Sequence, residues 1–103
     1  MSEPFESYYA VIFTSTQKEN IEGYPEMADK MEALARQQSG FLGMHSARNQ
    51  VGITISYWKN LEAIKNWKQQ CDHVIAQQKG RKDWYSWYSV KVCKVEREYE
   101  FSL

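Results

Sequence analysis

Ser7-Tyr8-Tyr9-Ala10-Val11-Ile12-Phe13-Thr14 is a run of β-branched and aromatic residues, and it reads as a β-strand. Side chains alternate across a strand, so Tyr9, Val11 and Phe13 share one face and Tyr8, Ala10 and Ile12 the other. Both sets are apolar. A strand of this kind is covered on both sides, which constrains everything that follows it.

Outward from this strand, Gln17 to Asn20 is polar, and Gly23-Tyr24-Pro25-Glu26 looks like a helix start. Met27, Met31 and Leu34, with Ala28 and Ala35, repeat at helical spacing, and Gly40 is a natural stop. The spacing predicts a helix over 25–38. Residues 41–48 and 51–58 read as two strands joined by a tight turn at Asn49-Gln50, with Gly52 easing the exit. In the second of them Val51, Ile53, Ile55 and Tyr57 alternate with Gly52, Thr54, Ser56 and Trp58.

Asn60 is a suitable cap for a second helix, whose stripe runs through Leu61, Ile64, Trp67 and Cys71 and on to Val74 and Ile75, with Gly80 ending it. Residues 88–101 form the last expected strand, with Val90, Val92 and Val95 turned inward. The order is β-α-β-β-α-β, an α+β chain of ferredoxin-like type with an antiparallel sheet. A length of 103 residues predicts a single domain over 1–103. In such a fold two helices cover one sheet face and leave the other bare. Because the first strand is apolar on both sides, a second copy packed sheet to sheet is expected. Val11 and Phe13 are expected within that homodimer interface; the alternative is a monomer covered by its own C-terminal tail.

Composition narrows the function. Acidic and basic residues number 13 each, so the chain lacks the basic excess of a nucleic-acid binder. The first residues resemble no secretion signal and the longest apolar run is too short to span a bilayer, so a cytoplasmic protein without membrane association is expected. Cys71 and Cys93 are not spaced as a metal knuckle or redox pair; reduced thiols are the plain reading, with a disulfide the alternative. His45 and His73 with scattered carboxylates offer no metal-ligand spacing, and no Gly-rich phosphate or dinucleotide motif is present. No metal and no cofactor is therefore expected. Aromatic residues make up 15% of the chain, including four Trp and seven Tyr, and such rings suit cores, interfaces and flat ligand pockets alike.

One pattern carries a resemblance. It runs through Tyr57-Trp58-Lys59-Asn60-Leu61, Trp67, His73, Gly80-Arg81, Trp84-Tyr85, Tyr88 and Val95-Glu96-Arg97-Glu98-Tyr99-Glu100-Phe101, with Gly40-Phe41-Leu42-Gly43 leading into the second strand. It resembles the antibiotic biosynthesis monooxygenase superfamily of dimeric α+β barrels, and most of all a bacterial branch labelled as involved in extracellular polysaccharide biosynthesis. The resemblance implies a homodimer and a cleft between sheet and helices. It does not fix the chemistry, because the superfamily includes cofactor-free oxygenases of aromatic polyketides, quinone-oxidising proteins and haem-degrading proteins.

The leading candidate for catalysis is His73, since histidine exchanges a proton near neutral pH and a cofactor-free oxygenase needs an electron-rich substrate anion. On a continuous helix His73 lies opposite the apolar stripe, in solvent. The resemblance implies a helix break just before it that turns it into the cleft, although Gln70-Cys71-Asp72-His73 contains no proline. Asp72 is the residue that would cap a new helical segment there. Trp67, Trp84, Tyr88 and Tyr57 are the candidate walls of a flat aromatic site. Core packing is the competing reading for Trp67, and a dimer interface for Trp84, Tyr85, Trp87 and Tyr88. His45 reads as a structural or surface residue; Arg48 and Arg97 suit an anion or solvated pairing with acids.

The expected function is a cofactor-independent monooxygenase or related oxidoreductase acting on a small phenolic or quinonoid molecule. The alternatives are a non-catalytic dimeric small-ligand-binding module and a haem-binding or haem-degrading protein. The last is disfavoured by the lack of an Asn in strand 1 and by Ala63 ten residues before His73, where the haem-degrading proteins carry Trp.

Overall fold

The chain forms six elements in the expected order, as seen in a computed structural model that describes residues 5–77 and 84–103. They are β1 (Tyr8–Gln17), α1 (Tyr24–Arg36), β2 (Phe41–Arg48), β3 (Gly52–Trp58), α2 (Leu61–Gln77) and β4 (Tyr85–Val95). The strands make one sheet in the order β2-β3-β1-β4, and every pair is antiparallel. This is the ferredoxin-like α+β arrangement.

Pairing decides which face each residue occupies, because directly opposed residues in antiparallel strands point to the same side. Tyr9 opposes Trp58, Val11 opposes Ser56, and Phe13 opposes Thr54 and Val90. Trp58 is fully buried against Ala35 of α1 and Ala63 of α2, with Val11 beside it. The odd-numbered set of β1 therefore faces the helices. Tyr8, Ala10 and Ile12, with Tyr57, Ile55 and Ile53 of β3, form the bare face. Val11 and Phe13 are thus not on the uncovered side where the interface was expected; Ile12 and its neighbour Ile55 are.

The helices do not cover the sheet evenly. α1 packs toward β2 and α2 toward β3, so the helix side of β4 stays open. Val90 and Val92, expected to be interior, are 51% and 49% exposed there. The core accordingly divides into two clusters. One joins Met27, Val74 and Trp84, with Tyr24, Met31, Leu34 and Tyr85 around them. The other joins Ala35, Trp58 and Ala63, with Val11, Phe41, Ile64 and Trp67.

Several boundaries differ from the sequence expectation, among them the first strand, which runs over Tyr8–Gln17 rather than 7–14. The last strand runs from Tyr85 to Val95 rather than over 88–101. Its final partner, Tyr8, is the first residue of β1, so beyond Val95 there is no backbone to pair with. Tyr99 and Phe101 consequently project away, 89% and 86% exposed. Helix α1 spans Tyr24–Arg36 instead of 25–38, because the left-handed Gly23 caps it and places Pro25 in the second helical position. At its other end the Gln38 side-chain amide donates to the Leu34 carbonyl at 3.2 Å, a role expected of Gly40. Finally, α2 is unbroken through residues 70–73. Asp72 accepts from Lys68 Nζ at 2.7 Å one turn earlier and caps no new segment. The cap at Asn60 forms as expected, its Oδ1 accepting the Ala63 N–H at 2.8 Å. Gly80 and Arg81 lie outside the described residues.

Gly40 has a different task. It sits at φ +85°, and a Cβ there would come 2.7 Å from Ala63 Cβ at the start of α2. The left-handed conformation alone costs a non-glycine residue about 1–2 kcal/mol, and the overlap adds to it. Gly40→Ala is expected to lower the free energy of unfolding by at least that amount in chemical denaturation. A variant as stable as the native chain would show that the loop and α2 are not this close.

Candidate functional site

The helix-facing side of the sheet is not the uniformly apolar surface that a simple core would need. Across β2, β3 and β1 it carries Ser46, Thr54, Ser56 and Ser15, with Arg48 at one end. Ser56 is 6% exposed and Ser15 is fully buried. Buried hydroxyls are costly unless they are hydrogen-bonded, and both are. Trp58 Nε1 donates to Ser56 Oγ at 2.8 Å, and Arg48 donates through Nη2 to Ser15 Oγ.

That second bond spans the sheet. Arg48 lies opposite Gly52 on β3, Gly52 opposite Ser15 on β1, and Ser15 opposite Tyr88 on β4. The arginine can reach Ser15 only by lying across Gly52, where a Cβ would overlap the guanidinium. Its Cζ also sits 5.9 Å from the centre of the Tyr24 ring, within cation–π range. From Tyr24 a chain of edge-on rings continues to Tyr85 at 5.8 Å, then to Phe13 at 5.4 Å, and on to Tyr88 at 5.5 Å. The result is an arc of four rings with a cation at one end, beside the uncovered strip of Val90 and Val92.

The residues singled out from sequence do not meet in one place. Trp67 stacks on Trp58 at 5.8 Å and 24° in the second core cluster. Trp84 is 7% exposed and donates from Nε1 to the Glu22 carbonyl at 2.9 Å, tying the β1–α1 connection to the start of β4. Tyr88 belongs to the ring arc. Tyr57 points to the bare face. His73 is exposed on the unbroken α2, one residue before Val74, which packs with Trp84 and Met27. Arg48, expected to pair with an acid in solvent, instead takes a hydroxyl and a ring. Sequence reasoning missed Ser15, Phe13 and Tyr24 as members of this site. One signal was available, because a glycine inside a strand of otherwise branched residues marks a close approach, and Gly52 is such a residue.

A second, open groove lies on the bare face. Tyr8, Tyr57 and His45 form a row, with Tyr8 5.9 Å and His45 5.7 Å from the Tyr57 ring. Arg36, Leu42, Gly43, Met44, Glu98 and Glu100 complete its lining. Tyr8 donates its hydroxyl proton to Glu98 Oε2 at 2.7 Å. This bond holds the proton on the phenol, and with desolvation and the Glu98 charge it pushes the Tyr8 pKa up to about 12.

Among the described residues no group of three His, Cys, Asp or Glu is placed to hold a metal ion, and no helix is long and apolar enough to cross a membrane. Cys71 and Cys93 are not joined in a disulfide.

Residues 9–94 match the model of the monooxygenase af470-like family. The chain belongs to that family. Its relatives include protein YqjZ of Bacillus subtilis strain 168, which is 47% identical over 97 residues, 92% of this chain and 85% of that protein. Among solved structures it is similar to a variant of SnoaB, a cofactor-independent oxygenase from Streptomyces nogalater. That likeness has a TM-score of 0.72 at 11% identity, over 91% of this chain and 97% of SnoaB. PA3566 from Pseudomonas aeruginosa matches with a TM-score of 0.67 at 17% identity, over 90% and 96% of the two chains. The likeness to these solved structures concerns the fold alone.

The Tyr8–Glu98 bond has a spectroscopic signature. Six of the seven tyrosines remain when Tyr8 is replaced by Phe. The difference between the ultraviolet phenolate titrations of the native chain and Tyr8→Phe is expected to rise near pH 12 rather than near 10.0. Glu98→Ala is expected to bring that step back toward 10.0. A native step already at the ordinary tyrosine value would mean that the bond does not persist in solution.

Proposed function

We propose that the protein is a cofactor-independent monooxygenase that oxidises a flat phenolic or quinonoid small molecule, and that it works as a homodimer. The observation that carries the reading is the ring arc of Phe13, Tyr24, Tyr85 and Tyr88, which lies beside hydroxyls and an arginine on the helix-facing side of a monooxygenase-family fold. A largely aromatic wall with a few polar groups suits a planar ligand.

The chemistry turns on proton transfers. Removing a proton from an anthrone-like substrate gives a delocalised anion that can reduce dioxygen by one electron. Recombination gives a peroxide anion, which takes up that proton; removal of the second proton from the same carbon, with departure of hydroxide, releases water and leaves the quinone. One dioxygen is consumed per substrate, one oxygen atom enters the product and the other leaves as water. His73 is the group proposed to carry the proton, from the turn of α2 that packs Val74 against Trp84. General acid–base help is worth roughly 10²-fold or more. His73→Ala is therefore expected to lower anthrone turnover by about that factor while leaving the melting temperature unchanged. Full activity in the variant would remove His73 from the mechanism.

A second reading has its own support. His73 is exposed on an unbroken helix, which suits a non-catalytic module that binds a small aromatic ligand. Binding without any oxygen consumption would favour it.

The homodimer follows from the bare face. Tyr8, Ile12, Ile53, Ile55 and Tyr57 form an apolar surface on the side of the sheet away from the helices, and Ile53 is 43% exposed. A second copy covers such a surface by two-fold symmetry. Ile55→Glu places a charge at its centre, where burial without a partner is strongly unfavourable. Sedimentation velocity at micromolar concentration is expected to show a dimer for the native chain and a monomer for Ile55→Glu. A native monomer would overturn the assignment.

A further inference from the structure

The ring arc ends at a guanidinium held in place on three sides. Ser15 Oγ accepts one of its protons, the Tyr24 ring stands 5.9 Å from Cζ, and the Gly52 backbone lies beneath it. Ser15 is fully buried and makes no other hydrogen bond through its side chain among the described residues. This tether therefore runs between a rigid strand and a long side chain that would otherwise be free to rotate in solvent. Such ordering costs side-chain entropy, set against the one bond that Arg48 supplies to the buried Ser15 hydroxyl.

Among the described residues the arginine has no acid beside it. No carboxylate among them forms an ion pair with Arg48, whereas Arg36 pairs with Glu32 at 3.2 Å and Lys68 with Asp72. A guanidinium has five N–H donors, and one is used by Ser15. The remaining donors are arranged as a fork that matches the two oxygens of a carboxylate. Next to them, Tyr24, Tyr85, Phe13 and Tyr88 offer edges and faces to a planar ring system.

We infer that Arg48 is the anion-recognition group of this site, and that the ligand is a planar aromatic molecule carrying a carboxylate. The carboxylate accepts from the Arg48 fork and the rings lie along the arc toward Tyr88. Ser15, Gly52 and Tyr24 are positioning residues that hold the guanidinium at the arc. This rests on the reading of the ring arc on the helix-facing side of the sheet as the ligand site, and it adds to that reading the charge of the ligand and the residue that selects it.

The test uses two nearly isosteric probes, anthraquinone-2-carboxylate and anthraquinone-2-carboxamide, with binding followed by quenching of tryptophan fluorescence in the full-length chain. The native protein is expected to favour the carboxylate by roughly tenfold or more, the scale of a charge-assisted hydrogen bond. In Arg48→Gln that preference is expected to vanish, through a larger loss of carboxylate than of carboxamide affinity, and the melting temperature to fall because the buried Ser15 hydroxyl loses its partner. Equal binding of the two probes by the native chain overturns the inference, and so does a preference that survives in Arg48→Gln. The native comparison decides the matter even where the variant does not fold. Binding of neither probe overturns both this inference and the ring arc as a ligand site. A carboxylate preference without turnover of any anthrone leaves Arg48 in place and removes only the oxygenase reading.

Discussion

A four-stranded sheet has two faces, and two helices cover at most one of them. Much of this molecule follows from that shortage. β1 lies inside the sheet, between β3 and β4, and is apolar on both sides, so neither face is a natural solvent surface. The helices add to the shortage by leaning over β2 and β3, which leaves part of the covered face open beside β4. One surplus surface is broad and flat, and the other is a narrow strip lined by rings. Flat apolar surfaces suit a copy of the same chain, while narrow aromatic strips suit small planar molecules.

The assignment of polar residues follows an unusual rule. In most half-covered antiparallel sheets the apolar set faces the helices and the polar set faces water. In β3 the apolar set, Ile53, Ile55 and Tyr57, faces away from the helices, whereas Thr54 and Ser56 face toward them. Putting hydroxyls under helices sacrifices hydrophobic contact, and each hydroxyl then needs a partner. Trp58 serves Ser56 and Arg48 serves Ser15, so neither depends on water for its satisfaction. An interior face with satisfied polar groups keeps its shape while remaining able to make directional contacts.

The element order and the ferredoxin-like fold were legible in the sequence because they rest on periodicity, which needs no tertiary information. The caps show the boundary of that method. Asn60 behaves as its type suggests, while Gly40 looks like a helix stop and is instead the point where α2 approaches the preceding loop. Strand facing was not legible. With both halves of β1 apolar, only the pairing of Tyr9 with Trp58 shows which half meets the helices. The site was hidden for the same reason. Ser15 is far in the chain from Arg48 and Gly52, the three belong to three strands, and only register places them in one row. Tyr57, beside Trp58 in sequence, belongs to the opposite side of the sheet for the simplest of reasons, the period of two.

Gly52 ties two positions into a single choice. A side chain at 52 and an arginine stretched from 48 to Ser15 compete for the same space, so position 52 can gain a side chain only if the arginine gives way. Family members that place a larger residue at 52 must retract or replace the arginine, and they lose its charge from the end of the ring arc when they do. The pair therefore works as a two-letter label. Across the family, those two residues alone would sort chains into those whose cleft carries a fixed positive charge and those whose cleft is neutral.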